Sequence, residues 1–242
     1  MESNNYCEII KFVFRMRRKF LLAFICVNSL ICFGFDSDLI SERPGQAYTP
    51  YCLKNGEVQF QLGANIQESV FNNNVIRFGL GKFFEINTVI DYTFENNLFV
   101  APNVGFKLLL KESERGIYSL RYGTSLHQFT DNDLTNTLFL ISNYTIFNKV
   151  GLTLNGGVKY LAREEKLYKS YVLSLSFNPT TKIGVVFENY GEFNDSFKSY
   201  FDLGIGYLVS PVLQFDIYLG TGLENKPEDL FINLGVTYRF NL

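Results

Sequence analysis

The sequence has no tryptophan, one histidine (His127) and two methionines in 242 residues. Its four cysteines are Cys7, Cys26, Cys32 and Cys52, and three of them lie within the first 32 residues. One histidine and so few thiols cannot build the Cys/His shells that hold zinc. Charge of either sign is not in excess: 22 Lys and Arg stand against 24 Asp and Glu, a net charge of −2. With no basic surplus, no counterion-release term exists to drive nucleic-acid binding. Long apolar runs are also missing beyond residue 35, which excludes a bundle of membrane-spanning helices. What the chain has in quantity is 25 Phe, 15 Tyr and 19 Gly. That mixture favours many strands with close backbone approaches.

The N-terminus reads as a targeting segment. Lys11, Arg15, Arg17, Arg18 and Lys19 form a basic cluster, and "FLLAFICVNSLICFGF", residues 20–35, follows as an apolar run. This is the layout of a signal peptide over residues 1–35, with Met16 as an alternative start. Removal of that segment leaves Cys52 alone, so the mature chain has no internal disulfide. Residues 36–56 are polar and without period, and predict an extended periplasmic segment ahead of the first strand.

From residue 57 the chain alternates. In the closing stretch, Leu230, Ile232, Leu234, Val236, Tyr238, Phe240 and Leu242 share one face, and Asn233, Gly235, Thr237, Arg239 and Asn241 share the other. A period of 2 is that of a β-strand. About twelve such segments follow one another, an even number as single-chain bacterial barrels require. Only "TLFLISNYTI" is blurred, because Phe139 and Ile141 fall on the polar face. Tight connections ("KFF", "FNK", "NPTT", "SP") alternate with longer ones ("QESVFNNN", "HQFTDNDLTN", "AREEKLYK", "EFNDSFK", "ENKPED"), and "KESERG" is a longer exception on the tight side.

The polar faces decide between a soluble sandwich and a membrane barrel. A solvated sheet face would be dense in Lys, Glu and Thr. Here it is rich in Gly, Ser and Asn, with scattered charges of both signs. Small residues alternating with charges suit a narrow lumen. The expectation is therefore all-β: a transmembrane antiparallel barrel of about 12 strands over residues 57–242, in the outer membrane of a Gram-negative bacterium. The lumen-lining residues of its solute path are expected to be Arg77, Asp91, Lys107, Arg121, Lys159, Glu188, Asp202, Asp216 and Arg239. Phe139, Ile141, Val172 and Tyr218 are expected to fill part of that interior. Phe94, Phe99, Tyr144, Tyr168, Phe177, Tyr190, Tyr200 and Tyr207 are expected in the interfacial aromatic girdles.

Two short stretches carry a family likeness. "SERPGQA", Ser41–Ala47, resembles the S/T-D-R-P motif that precedes the first strand in a family of outer-membrane transporters named for the meta-pathway of phenol degradation. "IRFGLGKFFEI", Ile76–Ile86, resembles that family's second hairpin. Glu42 stands where the family usually has Asp. The resemblance spans residues 41–242 and implies an outer-membrane transporter.

Chemistry is not expected. Barrel phospholipases and deacylases pair a His with a Ser at the rim, whereas His127 is followed by Gln128 and Phe129. Without a positioned base a serine hydroxyl is a poor nucleophile. Asp131 and Asp133 share one loop with His127 rather than facing it across a cleft. No cofactor is expected. The partners expected are outer-membrane lipid, a lumen solute and the barrel-assembly machinery, with no nucleic acid. The reading is a channel or transporter for small, including hydrophobic, solutes. Its alternative is a non-conducting structural or adhesive barrel acting through its outer loops.

Overall fold

A computed structural model describes residues 39–67, 70–93, 99–126, 134–147, 149–223 and 229–242. The expected signal peptide over 1–35, the alternative start at Met16, Phe94, and the loop holding His127, Asp131 and Asp133 lie outside the described residues.

Twelve strands follow in chain order. They are β1 (Glu57–Ile66), β2 (Val70–Gly79), β3 (Phe84–Thr93), β4 (Phe99–Ser113), β5 (Gly116–Leu126), β6 (Leu134–Phe147), β7 (Val150–Leu161), β8 (Lys166–Phe177), β9 (Ile183–Phe193), β10 (Phe197–Ser210), β11 (Leu213–Gly222) and β12 (Phe231–Asn241). Each pairs antiparallel with its chain neighbour, and β1 pairs with β12 from Glu57–Asn241 to Ile66–Ile232, which closes the barrel. No described helix is long and apolar enough to cross a membrane.

The alternation sets which side chain faces which way. Leu203 and Ile205 of β10 keep 45% and 47% of their surface exposed, while Arg77 of β2 and Lys107 of β4 keep none. Apolar outside and charged inside is the reverse of a soluble protein. It is stable where the exterior is hydrocarbon and every backbone polar group is satisfied within the closed ladder. The chain is a transmembrane barrel.

Several expectations change at the ends of strands. "VFNNNV" is not loop but the first half of β2, with Asn72, Asn73 and Asn74 opposite Ala64, Gly63 and Leu62. The connections at 67–69, 162–165 and 194–196 are correspondingly shorter than the polar composition suggests. "KESERG" is a tight turn at residues 114–115, because Lys111, Glu112 and Ser113 continue β4 past a bulge. The ladder is made by backbone, so polar side chains at a strand end do not stop it.

The girdle also needs correction. Tyr190 and Tyr200 face each other across β9 and β10 at the inward parity of Glu188 and Asp202, with ring centroids 5.5 Å apart. Tyr168 shares the inward parity of Ser174, and Lys159 Nζ lies 5.1 Å from its ring centre. These three tyrosines take the inward parity, Tyr190 and Tyr200 stacked on each other and Tyr168 beside Lys159, whereas Tyr144, Phe177 and Tyr207 keep the outward parity. The outward aromatic set of β8–β10 instead includes Tyr171, Phe193 and Phe197. Tyr171 covers two outward polar side chains, with its hydroxyl 2.9 Å from Asn189 Oδ1 and 3.0 Å from Ser199 Oγ.

A cation on the lipid-facing parity is the direct test of this orientation. Leu203→Arg is expected to destabilise the barrel in lipid vesicles by about 2 to 4 kcal/mol, read from denaturant-dependent folding. Gly206→Ser, at the inward parity of the same strand, is expected to cost much less.

Candidate functional site

A chain segment outside the ladder has no strand partners for its N–H and C=O groups, so inside a lumen it must find them among side chains. Residues 39–53 do this. They run through the barrel interior without forming helix or strand, and the inward side chains of the wall bind them. Gln59 Nε2 and Arg77 Nη1 donate to the Ile40 carbonyl at 3.1 and 3.2 Å. Asn155 takes both polar groups of Tyr48: its Oδ1 accepts from Tyr48 N–H at 2.7 Å, and its Nδ2 donates to the Tyr48 carbonyl at 3.0 Å. Arg77 Nη2 and Lys107 Nζ donate to the Tyr51 carbonyl at 3.0 and 3.2 Å. Leu53 N–H donates to Glu85 Oε2 at 3.0 Å.

The stretch Ser41–Gln46 is the most heavily bonded part. Ser41 Oγ lies 2.9 Å from Thr237 Oγ1. Glu42 Oε1 accepts from Lys107 Nζ at 2.6 Å. Arg43 Nε and Nη2 donate to Asp216 at 3.1 and 2.9 Å, and Nη2 also donates to Asn233 Oδ1. Gly63 and Gly235 are register partners in β1 and β12, and a Cβ on either would collide with the Arg43 guanidinium. Only glycine admits so close an approach. The Arg43–Pro44 peptide is cis, and Gly45 has φ +108°, a backbone conformation that glycine adopts without strain. Gln46 and Ala47 N–H then donate to the Glu188 carboxylate, the latter at 3.3 Å.

The wall residues read from the sequence divide accordingly. Arg77 makes a two-point ion pair with Glu85, at 2.8 and 2.7 Å. Lys107 bridges Glu42 and Glu85. Arg121 lies over the Tyr48 ring at 4.0 Å, and its Nη2 donates to Asn87 Oδ1 at 3.0 Å. Glu188 and Asp216 hold the segment. Asp202 is opposite Glu188 in the β9–β10 register, and its two buried carboxylate oxygens accept no hydrogen bond from the described residues. Arg239 reaches Glu57 at 3.9 Å near the end where the barrel chain begins and ends. Lys159 pairs with Glu192 at 2.6 and 2.8 Å, partly exposed and away from the segment. Asp91 is placed by its backbone alone, opposite Asn73 and Ala101 on the register positions that continue from Glu85 and Asn87. Phe139, Ile141 and Tyr218 are buried inside, and the Phe139 ring meets that of Tyr48 edge-on at 5.5 Å.

Sequence reasoning passed over Glu42, Arg43, Glu85 and Glu192 as site residues. Glu85 and Glu192 carry the same alternation signal as their partners. Glu42 and Arg43 sit in a stretch without period, so nothing local assigns them a face.

The segment divides the interior. On the tight-turn side lies a cavity of about 640 Å³, whose lining includes Lys149, Ser174, Ser176, Thr180 and Lys182. Toward the other end lies one of about 240 Å³, lined by Gln61, Asn73, Asn103, Arg121 and Thr137 among others. Glu42, Arg43, Ala47 and Tyr48 line both.

Two groups on the segment have shifted acidities. Burial works against the Glu42 carboxylate, but Lys107, Arg77 and Arg121 outweigh it and hold the group down to about 2. Burial pushes the Cys52 thiol up to about 11, with Lys107 opposing. Its Sγ lies 3.6 Å from the Phe83 carbonyl. Cys52 therefore reports on the segment. With its acidity moved from 9.0 to about 11, the thiolate fraction at pH 8 is about a hundredfold smaller, and because a more basic thiolate is also the better nucleophile, its alkylation is expected to run about tenfold slower than that of an exposed thiol.

Glu42→Gln leaves Lys107 without that carboxylate, an effect on the order of 3 kcal/mol for a buried pair, and alkylation of Cys52 is expected to accelerate. A depressed carboxylate stabilises the docked segment fully above its ordinary value of 4.5 and loses that contribution as pH falls toward 2. Docking is thus expected to hold at pH 6 and to weaken between pH 4.5 and 2. The check is the rate at which Cys52 reacts with a dipyridyl disulfide, which works in acid.

Comparison with known proteins agrees with this architecture. The structure resembles the KdgM porin, with a TM-score of 0.62 at 10% identity, covering 76% of this chain and 99% of that one. It resembles the NanC porin, with a TM-score of 0.59 at 9% identity, covering 75% and 98%. It also resembles the COG4313 outer membrane channel from Pseudomonas putida F1, with a TM-score of 0.59 at 11% identity, covering 81% and 100%. At these identities the likeness is one of fold. No curated protein matches the sequence. A family profile does, over residues 41–240, from the Ser41 motif to the penultimate residue of the last strand. The chain belongs to the outer-membrane barrel family described as "Putative MetA-pathway of phenol degradation".

Proposed function

We propose that this outer-membrane channel passes small solutes along the lumen, and that residues 39–53 form its constriction. The observation that carries the reading is the pair of cavities meeting at Glu42, Arg43, Ala47 and Tyr48. A solute crossing from one to the other passes the segment. On this reading Arg77, Asp91, Lys107, Arg121, Lys159, Glu188, Asp202, Asp216 and Arg239 set the field along the path. They do so unequally. Arg77, Lys107, Glu188 and Asp216 are occupied in holding the segment, whereas Arg121 and Asp202 lack an ion-pair partner among the described residues.

The reading involves transport without chemistry. A structural barrel acting through its outer loops is the competing reading. The internal cavities and the side-chain bonding of the segment favour the channel, since a purely structural barrel has no need of either.

Planar-bilayer conductance of the refolded chain is the test. Wild type is expected to show small steps. Arg43→Ala, which removes the bonds to Asp216 and Asn233, is expected to raise the open-state conductance several-fold. Arg121→Glu is expected to shift ion preference toward cations, and Lys159→Glu to shift it less. A folded barrel that is silent in wild type and in Arg43→Ala would exclude the channel.

A further inference from the structure

The charges beside the constriction do not cancel on the β2–β5 side. Arg77, Lys107 and Arg121 face only two carboxylates among the described residues, Glu42 and Glu85. Glu85 is taken by Arg77 at 2.7 Å and by Lys107 at 3.5 Å, and Glu42 by Lys107 at 2.6 Å. The cation in excess is Arg121, which has no carboxylate at ion-pair distance among the described residues and acts on Glu42 only at longer range. Tyr48 and Asn87 hold its guanidinium in place through the ring contact and one hydrogen bond. A buried positive charge without a counter-charge is costly unless something anionic joins it.

Arg121 lines the 240 Å³ cavity, and the rest of that lining is suited to a polar guest. Gln61, Asn73, Asn103, Ser125 and Thr137 bring amides and hydroxyls, Tyr48 and Tyr218 bring ring faces, and the two further charged groups of the lining, Glu42 and Arg43, are each held in an ion pair, with Lys107 and Asp216. The protein does not use up the bonding capacity of this lining. Gln61 Nε2, Asn103 Oδ1 and Arg121 Nε are buried and have no hydrogen-bond partner among the described residues. Thr137 and Asn103 lie against Gly123, where a Cβ would meet their side-chain oxygens at 3.0 and 3.1 Å. The glycine keeps that wall open. At about 30 Å³ per water the cavity has room for about eight waters, or for a bonded molecule of about a dozen heavy atoms.

We infer that this cavity is a binding site for a small hydroxylated monocarboxylate, of the size of a six-carbon sugar acid, with its carboxylate on Arg121 and its hydroxyls on Gln61, Asn103 and Thr137. One excess cation matches one carboxylate. The amide and hydroxyl lining matches a guest that both donates and accepts. The site lies on the side of the constriction away from the tight turns, so a solute would occupy it before passing the segment. The inference rests on the lumen being the solute path, and it adds the class of solute.

Equilibrium binding of D-glucuronate to the refolded full chain in detergent tests it, followed by saturation-transfer NMR with D-glucose as the neutral probe. Saturable binding of glucuronate, with glucose at least about tenfold weaker, is expected, because a charge-assisted bond is about twice as strong as a neutral one. Arg121→Gln is expected to remove that preference and Arg121→Lys to keep part of it. Asn103→Asp, which puts a negative charge into the wall, is expected to weaken glucuronate binding without touching Arg121. Heat-modifiable migration on gels shows that each variant is folded. Equal binding of glucuronate and glucose to wild type, or no binding of either, overturns the inference without need of any variant. Glucuronate binding that survives in folded Arg121→Gln also overturns it. Binding in detergent does not depend on conduction. A binding, non-conducting barrel would sink the channel reading and with it the identification of the guest as the transported solute, leaving the binding site itself standing, and a conducting, non-binding one would sink this inference alone.

Discussion

The closed backbone ladder is the constraint on which everything else in this molecule depends. In hydrocarbon an unpaired N–H or C=O costs several kcal/mol, so a spanning sheet must have no free edge. The pairing of β1 with β12 meets that condition. Once the ladder is closed, the period of 2 leaves each strand one lipid face and one lumen face. Leu203 and Ile205 point to lipid because Asp202 and Gly204 must point inward, and the same exchange repeats around the wall.

The inward faces then create a second problem. Arg77, Glu85, Lys107, Glu188 and Asp216 are all buried in a narrow interior. Charges withdrawn from water need partners. Part of the answer is pairing along the wall, as between Arg77 and Glu85. The rest comes from the N-terminal segment, which supplies Glu42 to Lys107, Arg43 to Asp216 and two amides to Glu188. The segment is bonded to the wall as much as the wall is bonded to the segment. Its residues therefore determine how wide the path is and which charges remain for a solute to meet.

The balance that results is uneven. Around Arg121 one positive charge is left over, while Glu188 and Asp202 face each other across β9 and β10 with no described cation between them. A solute passing between these walls meets cationic and anionic surfaces at once. Specificity in such a lumen comes from the few side chains that the scaffold does not itself occupy.

The barrel was legible in the sequence because lipid and lumen impose opposite demands on alternate residues, and that demand is local. Strand identity, the outward set of β12 and the inward charges could all be read two residues at a time. Phe139 and Ile141 blurred that reading because they fill the interior, where Phe139 meets Tyr48, a contact between residues far apart in the chain. Tyr190 and Tyr200 could not be told from girdle tyrosines by type, since only register gives their side. Strand ends were misjudged at Asn72–Asn74 and Lys111–Ser113 because backbone pairing tolerates polar side chains. By itself the sequence determined a barrel of about twelve strands and which face most of them present, through a period that needs no partner to be seen, while the count of twelve and the closure of β1 on β12 came from the structure. Only the tertiary structure decided that residues 39–53 turn into the lumen and which charges they take, because that segment has no period, and its bonds join residues as distant as Arg43 and Asp216.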